Sequence, residues 1–255
     1  GVWALSPDGA ADVVADAIRV GYRSIDTAQG YENEQGVGAA LRRTEVPREE
    51  IFITSKLRNS FHARDAALRA FDETMAKLGI EQLDLFLIHW PIPSRDRYVE
   101  AWRTLVDLKQ QGRIRSIGVS NFNPDHLERI IGETGVVPAI NQIELHPYFQ
   151  QRDVRALHAE RGVAIESWSP LGRARLLGDP AIVSIAQKHG RTPGQVVIRW
   201  HIEQGLIVFP KTANVARLAE NFDVFGFALD GEDMAAIARL DRGDGRTGPD
   251  PMVFP

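Results

Sequence analysis

The stretch IFITSKLRNSFHARDAALRAFDETMAKLGIEQLDLFLIH, residues 51–89, decides the fold. It opens on one β-branched apolar run, Ile51–Lys56, and closes on another, Leu83–His89. Both are nearly continuous in apolar residues rather than alternating, as strands buried on both faces are. Between them Leu68, Phe71, Met75 and Leu78 recur at three- and four-residue steps. That is the period of an amphipathic helix over Ala63–Leu78, and Gly79 ends it. Strand, helix and strand in so short a span make a parallel βαβ unit.

The same unit repeats in both directions. Further strands are expected at Tyr22–Asp26, Ser116–Ser120, Ile140–Glu144, Val163–Trp168 and Leu206–Pro210, so the strand starts lie 23 to 43 residues apart. Ser6-Pro7, Asn123-Pro124 and Thr192-Pro193 each set a capping side chain before a proline suited to the first helical position. Another helix, Arg97–Gln111, carries Val99, Trp102, Leu105 and Val106 on one face and stops at Gly112; Ala181–Lys188 and Pro193–Gln204 fill the longest interval. With the stub Gly1-Val2-Trp3 counted as a strand, eight βα units predict a (β/α)8 TIM barrel. A doubly wound sheet is the competing arrangement. No linker, charge run or low-complexity tract divides the chain, so residues 1–255 read as one domain with a loop-like tail from about 241.

Composition narrows the function classes. The 255 residues are 44% hydrophobic and 25% charged, with a formal net charge of −4, ordinary for a globular protein and poor for binding nucleic acid. There is no cysteine, which excludes disulfides, a thiol nucleophile and thiolate metal sites. No apolar run approaches the roughly 18 residues a membrane span needs, and the start GVWALSPDGAADVV has no charged leader. A soluble cytoplasmic protein that binds neither nucleic acid nor membrane is expected.

In a barrel, functional groups gather at the C-terminal ends of the strands. Those ends carry Asp26, Lys56, His89, Ser120-Asn121, Gln142, Trp168 and Lys211. Asp26, Tyr31, Lys56 and His89 make a coherent chemical set. An ammonium beside a phenol favours the phenolate, and a carboxylate holds the ammonium in place. Bringing Tyr31 from about 10 to about 7 needs roughly 4 kcal/mol. A neutral His89 would then orient a carbonyl oxygen beside the phenol. The set suits proton transfer to a carbonyl whose carbon receives hydride. Other signals are refused. GDGRTG (243–248) has dinucleotide-loop spacing but no strand before it, so it reads as a loop. No histidine pair has metal-ligand spacing, and no metal is expected. His146 reads as structural, and His62, His126, His158, His189 and His201 as helix-surface or flanking residues.

The segments DTAQGYENE (26–34), ITSK (53–56), LIHWP (87–91), GVSNF (118–122), NQIELHP (141–147), ESWSPLG (166–172) and FPKTANVARLAENF (209–222) resemble the aldo-keto reductase family. The similarity runs from Gly1 to about Asp241, nearest the prokaryotic 2,5-diketo-D-gluconate reductase-like members. It implies NADPH (NADP+) as cofactor and a small carbonyl compound as partner, reduced by a monomer. By resemblance Tyr31 is the proton donor, Asp26 and Lys56 its supporting ion pair, and His89 the substrate-orienting group. Ser120, Asn121 and Gln142 would hold the nicotinamide carboxamide, with Trp168 stacked on the ring. Ser169, Leu171 and Gly172 would line the pyrophosphate. Lys211, Thr212 and Arg217 would surround the 2′-phosphate, with Glu220 and Asn221 on adenine. Trp3 and Trp90 would face the substrate. The family also carries an N-terminal hairpin ahead of the position of Gly1, which this chain is expected to lack. Two alternatives remain open: a Schiff-base lyase acting through Lys56, and a non-catalytic nicotinamide-binding or structural subunit.

Overall fold

The computed structural model describes residues 1–254. Its local punctuation follows from side chains that satisfy free helix ends. The Ser6 hydroxyl oxygen accepts from the Gly9 N–H at 3.1 Å and starts α1 (Pro7–Val20). Then come β1 (Ser24–Asp26), α2 (Glu34–Arg43), β2 (Phe52–Leu57), α3 (Arg64–Leu78), β3 (Leu83–Ile88), α4 (Tyr98–Gln110), β4 (Ile114–Ser120) and α5 (Pro124–Thr134). The second half holds β5 (Ile140–Glu144), α6 (Arg152–Glu160), β6 (Ala164–Trp168), α7 (Pro180–His189), α8 (Pro193–Glu203), β7 (Ile207–Val208), α9 (Val215–Phe222) and α10 (Gly231–Ala238). Thr192 and Gln195 cap α8 reciprocally, at 3.0 and 3.3 Å. Gly79 ends α3 in the left-handed conformation, φ +69°.

Among the described residues seven strands form one parallel sheet in the order β1 to β7, each next to its successor, and helices cover it as in a (β/α)8 barrel. The expected eighth strand does not form. Val2 donates one bond to the Asp26 carbonyl at 3.1 Å, and a Cβ at Gly1 would lie 3.2 Å from Phe209 Cδ2. The stub therefore sits between the first and last strands. It has no ladder, because the chain turns at Trp3-Ala4 after only two residues. For the same reason β7 is two residues long rather than the expected five: it pairs with β6 alone, through Ile207 and Val208. Strand β1 likewise begins at Ser24, not Tyr22.

Side chains alternate across each strand, and this period of two builds the site. Leu85, Leu87 and Ile140 form a small buried cluster with Phe52 packed against it, apart from the two larger cores under the helices. Stepping by two from these residues reaches Lys56, His89 and Gln142. The apolar layer in the lumen thus gives way, on the same faces, to polar groups at the mouth.

Four of the five histidines read as surface or flanking residues are buried: His62, His126, His158 and His201. Three of them, His126, His158 and His201, are tied to packed elements, while neither ring nitrogen of His62 has a partner among the described residues. His126 accepts the Asn123 N–H at 3.2 Å in the α5 capping box, and His158 lies 2.8 Å from the Asn141 amide. Helix periodicity marks the chain face that meets a neighbour only when apolar residues dominate that face, and here histidines share it. Among the described residues no helix is long and apolar enough to cross a membrane.

Candidate active site

Lys56 is wholly buried, and its ammonium has three donors. They go to Asp26 Oδ2 at 2.7 Å, the Thr27 carbonyl at 2.8 Å and the Tyr31 phenol oxygen at 3.3 Å. Every donor is used, which is what a buried cation requires. Because Tyr31 oxygen accepts from Lys56, the phenol keeps its own O–H free. Tyr31 sits on a tight turn, Gln29–Tyr31, that the Gln29 side chain staples to its surroundings. Gln29 donates to the Ala70 carbonyl at 2.8 Å and to Thr74 at 2.9 Å, and accepts from the Arg58 N–H at 2.8 Å. Asn33 holds the far end of the loop, donating to the carbonyls of Val2 and Leu5 at 2.9 and 3.1 Å. His89 meets Tyr31 edge to face, with ring centroids 5.7 Å apart.

The electrostatics correct one expectation. Burial pushes the Tyr31 phenol above its ordinary value of 10.0; the Lys56 ammonium and its hydrogen bond pull down, Asp26 pushes up, and the net direction is upward. Desolvation of the phenolate outweighs the cation, so Tyr31 is a protonated acid at neutral pH rather than a phenol poised near 7. Lys56 is drawn down by burial but more strongly held up by Asp26 and Tyr31, and it stays charged. A charged amine with all donors engaged is no Schiff-base nucleophile. His89 is pushed down to about 3 by burial and by the Lys56 charge, so its imidazole is neutral, as expected.

On the opposite side of the mouth, Asn121 is a hub in the left-handed conformation, φ +61°. Its amide donates to the His89 carbonyl at 3.0 Å and Ser120 Oγ at 3.1 Å, and accepts from Trp168 Nε1 at 2.8 Å. Ser120 donates to the Gln142 carbonyl at 2.9 Å. Gln142 Nε2 donates to Asp26 Oδ2 at 2.9 Å and Glu166 Oε2 at 2.8 Å. Its amide oxygen is left without a protein partner among the described residues. Of the three residues expected at a carboxamide, Gln142 therefore offers the free acceptor, while Ser120 and Asn121 are largely spent on holding His89, Gln142 and Trp168.

Past β6 the backbone takes the left-handed conformation at Ser169, Gly172, Arg173 and Ala174, and Gly172 is buried while Leu171 is half-buried. Lys211 and Arg217 are exposed, and no carboxylate pairs with either among the described residues. They flank the start of α9, where Asn214 Oδ1 accepts from Ala216 and Arg217 N–H groups at 2.9 and 3.4 Å. Thr212 Oγ1 closes the preceding turn on the Asn214 N–H at 3.0 Å. Two free cations at a helix start suit a phosphate. Asn221 is buried nearby, whereas Glu220 accepts from the Thr192 hydroxyl at 2.8 Å and is tied to α8. The free Gln142 oxygen and these unpaired cations fit the two ends of NADPH.

The tail supplies what the motifs left out. Glu144, buried at the end of β5 and opposite Trp168 in register, accepts from Thr247 N, Thr247 Oγ1 and Gly248 N at 2.6, 2.6 and 3.0 Å, and lies 3.1 Å from His146 Nε2. Residues 243–248 are thus a strap, not a dinucleotide loop. A Cβ at Gly245 would lie 1.8 Å from the Tyr148 carbonyl oxygen and one at Gly248 2.3 Å from the Trp168 ring, so close approach demands both glycines. Further on, Phe254 stacks on Trp90 at 4.3 Å. Trp3 is 58% exposed and joins no aromatic pair among the described residues. Glu144, Glu166, Gln29 and Asn33 were not singled out by their sequence; the signal was present, since Glu166 shares the lumen face with Trp168 two residues on.

The chain is similar in sequence and fold to known proteins. A family model described as aldo/keto reductase family matches residues 1–242. An aldo-keto reductase of Mycolicibacterium smegmatis is 52% identical over 254 residues, spanning 100% of this chain and 92% of that protein. A protein of Escherichia coli K12 named methylglyoxal reductase DkgA is 49% identical over 256 residues, with 100% and 92% covered. A mutant of Gox0644 solved in complex with NADPH superposes at TM-score 0.97 with 55% identity, over 100% of this chain and 93% of that one. An aldo-keto reductase of Bombyx mori in complex with NADP superposes at 0.87 with 38% identity, over 93% and 84%.

Proposed function

The chain belongs to the aldo/keto reductase family and is an NADPH-dependent oxidoreductase of carbonyl compounds, and from that premise we propose that it reduces small vicinal dicarbonyl compounds with Tyr31 as proton donor. The observation that carries this reading is the Lys56 ammonium donating to the Tyr31 oxygen at 3.3 Å, which leaves the phenol proton free for a substrate. The cofactor supplies hydride to the carbonyl carbon. Tyr31 gives its proton to the developing alkoxide, a general-acid step worth about 10²- to 10⁴-fold. As the proton leaves, the phenolate forms against Lys56, whose charge Asp26 anchors. Neutral His89 orients the carbonyl oxygen without competing as an acid. Gln142 accepts from the carboxamide, Trp168 backs the ring, and Lys211 and Arg217 take the 2′-phosphate.

The substrate class rests on the relative named methylglyoxal reductase and on the closed mouth, where the strap lies against Trp168 and Phe254 covers Trp90. Both favour a compact substrate over a long one. NADPH absorbance followed with methylglyoxal, and with 2,5-diketo-D-gluconate as the larger comparator, tests the reading. Higher kcat/KM for methylglyoxal is expected. No turnover of either compound would overturn it.

A further inference from the structure

One buried carboxyl in the lumen has no part in the chemistry above. Glu166 is 4% exposed and lies opposite Gln142 in the β5–β6 register. Gln142 Nε2 donates to Glu166 Oε2 at 2.8 Å and to Asp26 Oδ2 at 2.9 Å. An amide nitrogen has two hydrogens, so both are committed to carboxyl oxygens. The flipped amide would set its oxygen against two acids, acceptor against acceptor. Two acids on one nitrogen therefore lock the orientation that leaves the Gln142 oxygen free. The chain of contacts continues from Asp26 to Lys56 at 2.7 Å and on to Tyr31 at 3.3 Å. Strand β6 is thereby joined to β5, β1, β2 and the proton donor through the lumen.

We propose that Glu166 is a positioning residue of the reductase site, fixing Gln142 so that its oxygen meets the cofactor carboxamide and linking that contact to the Asp26–Lys56 pair. The proposal rests on the reading of this site as an NADPH reductase and extends it to a residue that touches neither substrate nor cofactor. The charged side chains around Glu166 are Asp26 on β1 and Lys56 on β2. Gln142 on β5 is neutral, and on β7 the register partner is Ile207. Burial first, and Asp26 second, raise the Glu166 carboxyl to about 7. Its charge therefore changes near neutral pH while Lys56 keeps its proton, and Gln142 should sense the change.

Two variants separate charge from hydrogen bonding. Glu166→Gln keeps an acceptor oxygen for Gln142 and removes the charge. Glu166→Leu removes both. Side-chain amide NMR of Gln142, assigned with Gln142→Glu and recorded without cofactor, should move with a midpoint near pH 7 in the unmodified protein and be flat in Glu166→Gln. NADPH affinity, followed by protein fluorescence, should stay within about threefold in Glu166→Gln and weaken about tenfold in Glu166→Leu, the scale of one lost hydrogen bond. A Gln142 signal that ignores pH in the unmodified protein, or equal NADPH affinity in the two variants, overturns the proposal. If Glu166→Leu does not fold, the amide titration alone decides. That titration needs neither cofactor nor substrate, so a protein that reduced no dicarbonyl would still answer for Glu166.

Discussion

The two flanks of the barrel mouth solve opposite electrostatic problems. On the β1–β2 flank Lys56 is sealed from water, with its three donors on Asp26, Thr27 and Tyr31. On the flank after β7, Lys211 and Arg217 stand exposed with no carboxylate partner among the described residues. A buried cation must be saturated in the folded chain, because desolvation leaves no other source of compensation. An exposed one stays hydrated and can be turned to a ligand anion at low cost, though salt screens it. Geometry for chemistry is thus built at folding, while charge for binding is held in reserve.

The sharpest way to break this contrast is to remove the acid. Tyr31→Phe should lower kcat by about 10²- to 10⁴-fold while NADPH affinity holds within about twofold, since only the proton donor is lost. A variant keeping more than half the unmodified kcat would show that the sealed flank is not the chemical one.

Next in size is the ion pair itself. Lys56→Met leaves the Asp26 carboxylate buried with the Gln142 amide as its remaining partner, and urea unfolding at pH 7 should show a loss of about 3–5 kcal/mol. The folded-state value of Lys56 lies above 10.5, so its contribution is complete below that pH and fades only as pH rises through the folded value. Lys56 itself adds no pH dependence from pH 6 to 9, but it holds down the Glu166 carboxyl that titrates near 7, so the stability gap between the two proteins should widen as pH rises across that window.

Acid probes the same sealed interior. Burial lowers His62 to about 4, His89 to about 3 and His201 to about 4, whereas the unfolded chain protonates near 6.5. Depressed values mean stability that is complete above about 6.5 and lost as pH falls toward 4. Each residue contributes up to about 1.4 kcal/mol per pH unit in that window. Urea midpoints collected from pH 7 to 5 should fall with a slope above one proton; a flat series would show these rings to be charged in the folded protein.

The smallest effect belongs to the open flank. Lys211→Ala and Arg217→Ala should each weaken NADPH binding about tenfold at low salt, with NADH binding unchanged. The difference should shrink as salt is raised, whereas the Tyr31 effect should not. Equal affinity of the unmodified protein for both cofactors would remove the phosphate assignment.

Much of this was legible beforehand, for local reasons. Asp26, Lys56 and His89 were visible because each is the polar residue on which an apolar strand pattern ends. The caps at Ser6, Asn123 and Thr192 were visible because a cap and its partners lie within three residues. Glu166 and Glu144 escaped because a lone acid in ESWSPLG or NQIELHP carries no sign of what it meets; Glu144 meets Thr247 and Gly248 from the far end of the chain. Leu206–Pro210 misled because a short apolar run cannot announce that one neighbour is missing.

The sequence by itself determined the repeating strand and helix units, the faces they bury and the set of groups gathered at one end, because those depend on residues a few positions apart. Only the tertiary structure decided that the phenol of Tyr31 is pushed up rather than down, that one cation is sealed and two are free, that the histidine rings are buried, and that the tail is a strap. Each of those is a matter of desolvation and pairing, and both are set by partners distant in the chain, as when Gln142 on β5 joins Asp26 on β1 to Glu166 on β6.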